Sequence, residues 1–339
     1  MKITTIGLDI AKNVFHVVEL DQHGKQILRK KLRRSQLMRF FVQHPVCMVA
    51  MEACGGSHYW AKEFKAMGHK VKLLPPQHVK GYLRGQKNDY NDAMAIAEAC
   101  QHGHIRTVAI KGIEQLDEQA FHRIRRQLVG ERNRLASQLR GLLGEYGIVF
   151  AKGVSNVRCK IPSVLEDADN GLSHRFRDLL NRQYQRFVAL DEELAYYDQQ
   201  LKVQVKTDDV CRRLAGMPGF GPVVSSAYKS WVGDGKQFGR GRHASAALGM
   251  VPGQHTTGGK EVLLGITKRG DSYVRSLVIH GARSVVSHAG GKTDPLSQWI
   301  NRLVATRGFN KAVVALANKL VSIAWVIVAR GESYSPQHA

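Results

Sequence analysis

The sequence predicts an α/β domain followed by long helices and a mainly helical C-terminal domain, α/β plus α in overall class. Three observations carry that prediction. Short runs rich in β-branched residues alternate with helix-length segments up to about residue 110. From Glu114 onward, apolar residues recur at three- and four-residue steps over lengths that no strand reaches. After residue 210, glycine-marked turns become frequent between helical stretches.

Residues 3–10 (ITTIGLDI), 14–20 (VFHVVEL) and roughly 25–32 read as three strands, separated by turn-length gaps at Asn13 and at His23-Gly24. Ser35 is expected to cap a helix reaching about Gln43. The apolar run VCMVAME at 46–52 suits a strand buried on both faces. A helix over 57–67, a strand over 70–74 stopped by Pro75-Pro76, and a helix over 88–102 complete the domain. Beyond it, Phe121, Ile124, Leu128, Leu135, Leu139 and Leu142 form one helical stripe. Leu180, Tyr184, Phe187, Leu190, Leu194, Tyr197, Leu201 and Val205 form a second. Such stripes pair as an antiparallel hairpin, meet as a coiled coil between copies, or simply pack within one domain. Residues 151–170 carry little periodicity and receive no assignment. The expected division is 1–110, 111–210 (helical, dimerising), 211–330, and a flexible tail over 331–339.

Fifty Lys and Arg against 28 Asp and Glu give a net charge of +22 in 339 residues, which calls for a polyanionic partner. Charge alone does not separate a DNA enzyme from a ribosomal or membrane-surface protein. Cys47, Cys54, Cys100, Cys159 and Cys211 show no CxxC spacing, so a zinc site built on thiolate pairs is not expected, and scattered thiols fit a reducing cytoplasm. The N-terminus does not read as a signal peptide, and Val313–Val328, broken by Asn318 and Lys319, is judged too short to span a bilayer, so no membrane partner is expected.

Charged residues inside apolar strands are the strongest chemical signal. Asp9 lies between Leu8 and Ile10, and Glu52 ends the central apolar run; burying either is costly unless it is paired or coordinated. Both fall at strand ends and are expected on one edge of one sheet. Asp89 and Asp92, three apart at a helix start, share a face. A single Asp there usually caps the helix. Four acids converging can instead hold one or two Mg²⁺ ions, which grip phosphate oxygens.

Two later segments point to phosphate. In Leu214–Ala227, the turn Gly219-Phe220-Gly221 is similar to a helix-hairpin-helix, which offers backbone N–H groups and a helix start to a phosphate; an ordinary turn between helices reads the same way. In 248–284, Thr256 and Thr257 precede Gly258-Gly259 in an expected loop, surrounded in sequence by Lys260, Lys268, Arg269, Arg275 and Arg283. A hydroxyl on a glycine turn beside cations has the parts of a phosphoryl-transfer nucleophile, and equally those of a phosphate grip. Ser245 and Ser272, on helix-like sequence, are weaker hydroxyl candidates.

GLDIAK, MEACGG and KNDYNDAMAIAEA together resemble the Asp-Glu-Asp-Asp domain of insertion-sequence family 110 transposases, and more narrowly subgroup 1111. LGMVP, GITKRG and LVIHGAR are similar to the C-terminal domain of that family. The resemblance implies a ribonuclease-H/RuvC-like first domain with Asp9, Glu52, Asp89 and Asp92 as metal-binding acids. It implies DNA cut and rejoined through a covalent phosphoserine link, in bacterial cytoplasm. It also implies target and donor double-stranded DNA chosen by an element-encoded guide RNA (a bridge or seeker RNA), and a homodimer or homotetramer. The family's serine position is Thr257 here, with Thr256 beside it, so this chain departs at its nucleophile. Two rivals remain: a metal-dependent endonuclease or junction resolvase that activates water, and a non-catalytic RNA- or DNA-binding protein.

Overall fold

The computed structural model describes residues 3–86 and 88–336 and divides into two compact units, 1–112 and 113–339. In the first unit, β1 (Ile3–Ile10), β2 (Val14–Asp21) and β3 (Gln26–Arg33) lead into α1 (Arg34–Val42). Next come β4 (Met48–Glu52), α2 (Ser57–Ala66), β5 (Lys70–Leu74), a single turn α3 (Pro76–Val79) and α4 (Asp89–Gln101). The mixed sheet runs in the order β3-β2-β1-β4-β5, with β2 antiparallel to β1 and β3, and with β1, β4 and β5 parallel. Both faces are covered, which explains why β4 reads as an unbroken apolar run. Ile6, Leu8, Phe15, Val17, Val49 and Met51 pack on one side with Leu37 and Phe41 of α1 and Trp60 and Phe64 of α2. Val18, Leu20 and Ala50 pack on the other with the alanines and Ile96 of α4.

Strand alternation turns Gly7 and Asp9 to the α4 side of β1, opposite Ile6 and Leu8. Gly7 is where α4 crosses the sheet. A Cβ there would lie 2.7 Å from Ala97 Cβ and nearer still to the carbonyl of Ala93, so only glycine admits the helix at this depth. Ser35 is not the cap expected of it. β3 runs into α1 without a linker, Ser35 lies inside the first turn, and the Gln36 side chain accepts the Arg33 N–H at 2.9 Å.

The second unit opens with two long antiparallel helices, α5 (Ile113–Gly144) and, after α6 (Val154–Glu166), α7 (His174–Thr207). Glu118 meets Gln204, Arg125 meets Asp198 and Arg132 meets Asp191, so partner numbers fall on one helix as they rise on the other. The stripes read from sequence therefore pair with each other within the chain, around Leu128, Leu135, Leu139, Phe187, Leu190 and Leu194. The unassigned stretch contains α6, which adds Val157 and Ile161 to that cluster; Pro162 inside it masks the helical signal.

The chain continues through α8 (Asp209–Ala215), α9 (Pro222–Val232), α10 (Gly241–Ala247), a hairpin of β6 (Pro252–Thr257) and β7 (Lys260–Ile266), α11 (Ser272–Ser287), α12 (Pro295–Arg307) and α13 (Phe309–Arg330). α13 is longer than the apolar run suggested, and by length and composition it suffices to cross a membrane. What decides its place is packing: Val313, Leu316, Leu320, Val321 and Ala324 sit at the centre of this unit's core, and the Asn318 side chain donates to the Met250 carbonyl at 3.0 Å. The segment expected to fray is pinned in part, with Tyr334 against that core and the Glu332 carbonyl accepting from Arg213; 337–339 lie outside the described residues.

A buried polar chain ties four helices of this unit. Ser226 of α9 donates to Glu118 of α5 at 2.9 Å and accepts from His122 Nε2 at 2.9 Å, while Tyr273 Oη of α11 lies 3.2 Å from His122 Nδ1. Gln204 of α7 holds the other Glu118 oxygen. Burial, seconded by Arg125, brings the His122 pKa down to about 4, which fits a neutral ring donating once and accepting once.

Candidate active site

The first constellation is built by sheet register. β1 and β4 run parallel with Leu8 opposite Met51, so Asp9 and Glu52 follow at the same end of neighbouring strands, both on the α4 side. α4 starts there too. Its N-cap is Asn88, whose side chain accepts the N–H groups of Tyr90 at 3.1 Å and Asn91 at 2.9 Å, so the cap is supplied by neither Asp89 nor Asp92. Asp89 Oδ2 lies 3.4 Å from Nδ1 of buried His16, and donor atoms of Asp9, His16 and Asp89 all fall within 4.8 Å of one another.

Electrostatics show the same convergence. Burial raises the Asp9 pKa above the ordinary carboxylate range, the negative charges of Asp92 and then Asp89 add to it, and His16 opposes. Burial also raises the Cys54 thiol, followed by the Glu52 and then the Asp9 carboxylate. Asp9, Asp89 and Asp92 thus act on one another at the end of β1, and Glu52 is linked to Asp9 through their shared effect on Cys54; Glu52 and Asp92 are not among the three donors that fall within 4.8 Å of one another. His16 escaped the sequence reading. Its signal was the hairpin register, in which Asp9 and His16 are directly opposite across the turn between β1 and β2.

The second constellation is the β6–β7 hairpin. Where a flexible loop was expected, Thr257 pairs with Lys260 and Thr256 with Glu261 around Gly258-Gly259, both at positive φ, the tight two-residue turn that twisted strands favour. Both threonines are exposed, and Thr256 Oγ1 accepts from Gln254 at 3.0 Å. Lys260, Lys268 and Arg269 are exposed as well. Arg275 is differently employed: it donates to the carbonyls of Leu248 at 3.0 Å and Arg269 at 2.7 Å. Arg283 donates to Asn310 and lies over the Phe309 ring. Ser272 opens α11 in solvent, whereas Ser245 is wholly enclosed and out of reach of any phosphate.

The Gly219 turn joins α8 to α9, with Pro222 in the first turn of α9. Gly219 is at positive φ, and a Cβ there would come within 2.8 Å of the Gly281 backbone. Its missing side chain therefore serves packing of this turn on α11. Gly221, by contrast, faces open space at the start of α9.

Residues 6–148 match the DEDD transposase family of IS110, and residues 211–297 match the transposase IS116/IS110/IS902 family. The chain is 42% identical over 332 residues to the transposase for insertion sequence element IS1111A of Coxiella burnetii, covering 98% of this chain and 91% of that protein. It is 41% identical to a probable family 20 transposase of Pseudomonas aeruginosa, over 99% of this chain and all of the relative. The transposase of IS1328 from Yersinia enterocolitica is 36% identical, over 98% of this chain and 99% of its own length. The chain belongs to the IS110/IS116 transposase family.

An IS110/IS116 transposase is an enzyme of DNA recombination, which accounts for the charge of +22. The DEDD class points to a divalent cation, and the donors at the end of β1 suit one: carboxylate oxygens set close together, with the Asp9 pKa raised first by burial and then by Asp92 and Asp89.

Proposed function

We propose that this transposase cuts and rejoins the DNA of an insertion sequence by a covalent hydroxyl–phosphate intermediate, with Asp9, Glu52, Asp89 and Asp92 holding Mg²⁺ in a ribonuclease-H/RuvC-like domain. The observation that supports the reading is the meeting of β1 and the start of α4, which brings Asp9 and Asp89 into one donor cluster, with Glu52 at the same end of the neighbouring strand β4. Mg²⁺ bound there polarises phosphate oxygens and offsets the charge that builds up on them. The acids hold and orient it.

Exposed Thr257, at the hairpin tip, is the attacking hydroxyl: its Oγ1 gives its proton to water and bonds to phosphorus as the phosphorus–deoxyribose oxygen bond breaks, and the leaving oxygen takes that proton back from water. Thr256 is the alternative, less free because Gln254 engages its oxygen. Lys260, Lys268 and Arg269 bind flanking phosphates through exposed cationic heads. Arg275 braces the Arg269 segment, exposed Arg283 adds a cation on α11, and the open N-terminus of α9 at Gly221 offers a further backbone phosphate contact, as in a helix-hairpin-helix. Target choice by an element-encoded guide RNA, and action as a homodimer or homotetramer, follow from the resemblance and fit the basic surface.

The test is a trapped covalent protein–DNA adduct. Thr257→Ala abolishes it and Asp9→Asn abolishes cleavage with the fold intact. An adduct that persists in Thr257→Ala removes Thr257 from its role; cleavage without any adduct moves the protein to a water-activating endonuclease. Nucleic-acid binding without cleavage, indifferent to cation and to loss of all four acids, supports a non-catalytic binder.

A further inference from the structure

We infer that His16 is a nitrogen ligand of the divalent cation, so that the centre is a mixed carboxylate–imidazole site. This rests on the cation-site reading above and adds a donor outside the four acids. His16 stands opposite Asp9 in the β1–β2 register. It shares a strand face with Val18, two residues on, which packs on Ala93 and Ala97, so its ring lies on the α4 side, where the acids are. The residue is 6% exposed, and a buried imidazole needs polar partners.

Its spacing from the acids is that of co-ligands. The 3.4 Å between Nδ1 and Asp89 Oδ2 is longer than the about 2.7–2.9 Å of a charge-assisted hydrogen bond. Adjacent donors on an octahedral cation with bonds of roughly 2.1 Å stand about 3 Å apart, and opposite ones about 4.2 Å. The 3.4 Å separation falls in that range, and with all three donors within 4.8 Å of one another a shift of a few tenths of an ångström lets one ion take all three. The ring is also held in place. It meets the Tyr90 ring edge-on, with centroids 4.6 Å apart at 74°, and the Arg29 guanidinium lies 3.8 Å from the Tyr90 centroid. Tyr90 is the neighbour of Asp89 at the start of α4, so one helix turn orients both donors.

Imidazole is a softer donor than carboxylate, and a nitrogen in the set shifts preference from Mg²⁺ toward later first-row ions. The experiment uses the full chain with Mn²⁺ and pulsed electron paramagnetic resonance. The bound ion shows nitrogen coupling that changes when the histidines carry ¹⁵N, a measurement that needs no variant. His16→Gln removes the coupling and weakens Mn²⁺ binding by about tenfold or more, with a smaller loss for Mg²⁺. Mn²⁺ that binds, depends on Asp9, and shows no nitrogen coupling overturns the assignment of His16 and leaves the carboxylate site standing. Coupling that survives in His16→Gln likewise overturns it. Mn²⁺ binding indifferent to Asp9→Asn brings down the cation-site reading itself.

Discussion

Adding one methyl group at Gly7 should disable the enzyme without touching any acid. Alanine there places its Cβ 2.7 Å from that of Ala97, against an ordinary carbon contact of about 3.5–4.0 Å. The nearer obstacle is backbone, the Ala93 carbonyl, so no side chain can swing away. α4 must rise from the sheet by about 1 Å. Overpacking of this kind costs about 1–3 kcal/mol of stability. The same displacement carries Asp89 and Asp92 away from Asp9 and Glu52, and a misplacement of about 1 Å costs up to roughly 100-fold in rate. Cation binding reports the geometry independently. A ligand at 100 times its Kd stabilises the folded state by about 2.7 kcal/mol, and that increment shrinks as affinity drops. Thermal unfolding of wild type and Gly7→Ala, with Mg²⁺ and with chelator, reads both effects, and cleavage of DNA carrying an element end reads the third. If Gly7→Ala keeps the full cation-dependent stabilisation and cleaves at the wild-type rate, α4 does not set the spacing of the acids and the reasoning fails.

Asp9→Asn should raise thermal stability in chelator while losing the gain on adding Mg²⁺. An acid whose folded pKa is raised destabilises the fold as pH climbs through the window above 3.8, so removing its charge helps the metal-free protein at neutral pH; a lower melting temperature in chelator would contradict this. Thr257→Ser, which sheds the crowding methyl, should preserve the covalent adduct or speed its formation a few-fold, whereas Thr257→Ala should leave only background; a dead serine variant with intact DNA binding counts against attack by this residue. His122 supplies a pH signature. Its folded pKa is lowered from 6.5 to about 4, so its contribution is complete above pH 6.5 and is lost as pH falls toward 4, at up to about 1.4 kcal/mol per pH unit. Denaturant titrations over that range should be flatter for His122→Gln, and equal slopes would disprove the assignment; His58, also brought down to about 4 chiefly by burial, contributes a similar slope that the variant leaves in place.

The first unit was legible wherever burial leaves a period in the chain. β1, β2 and β4 announced themselves as apolar runs, and the acids as charges those runs should not contain. His16 sat in the same kind of run and passed unnoticed, because its meaning comes from which residue it faces and not from what flanks it. The packing role of Gly219 was hidden for a related reason: its partner, Gly281, lies far along the chain on α11, and no local pattern names it. Asn88 as the α4 cap also decides the roles of Asp89 and Asp92, a choice that composition alone leaves open. In the second unit the two long stripes were clear, while α6 was hidden by Pro162. The glycine pair at 258–259 signalled a turn; that its flanks form strands was missed because both faces of the ribbon meet solvent, so neither shows alternation.

That ribbon has a consequence for when the enzyme can act. Val262, Leu263 and Leu264 stand 43%, 64% and 57% exposed on β7, and a two-stranded hairpin alone in water is only marginally stable. Val262 and Leu264 share one face and Leu263 takes the other, and covering such half-exposed side chains releases about 1 kcal/mol each, so burial of either face also stiffens the tip that carries Thr257. On the proposed role of Thr257, a hydroxyl held at the end of such a ribbon attacks efficiently only once the ribbon is steadied.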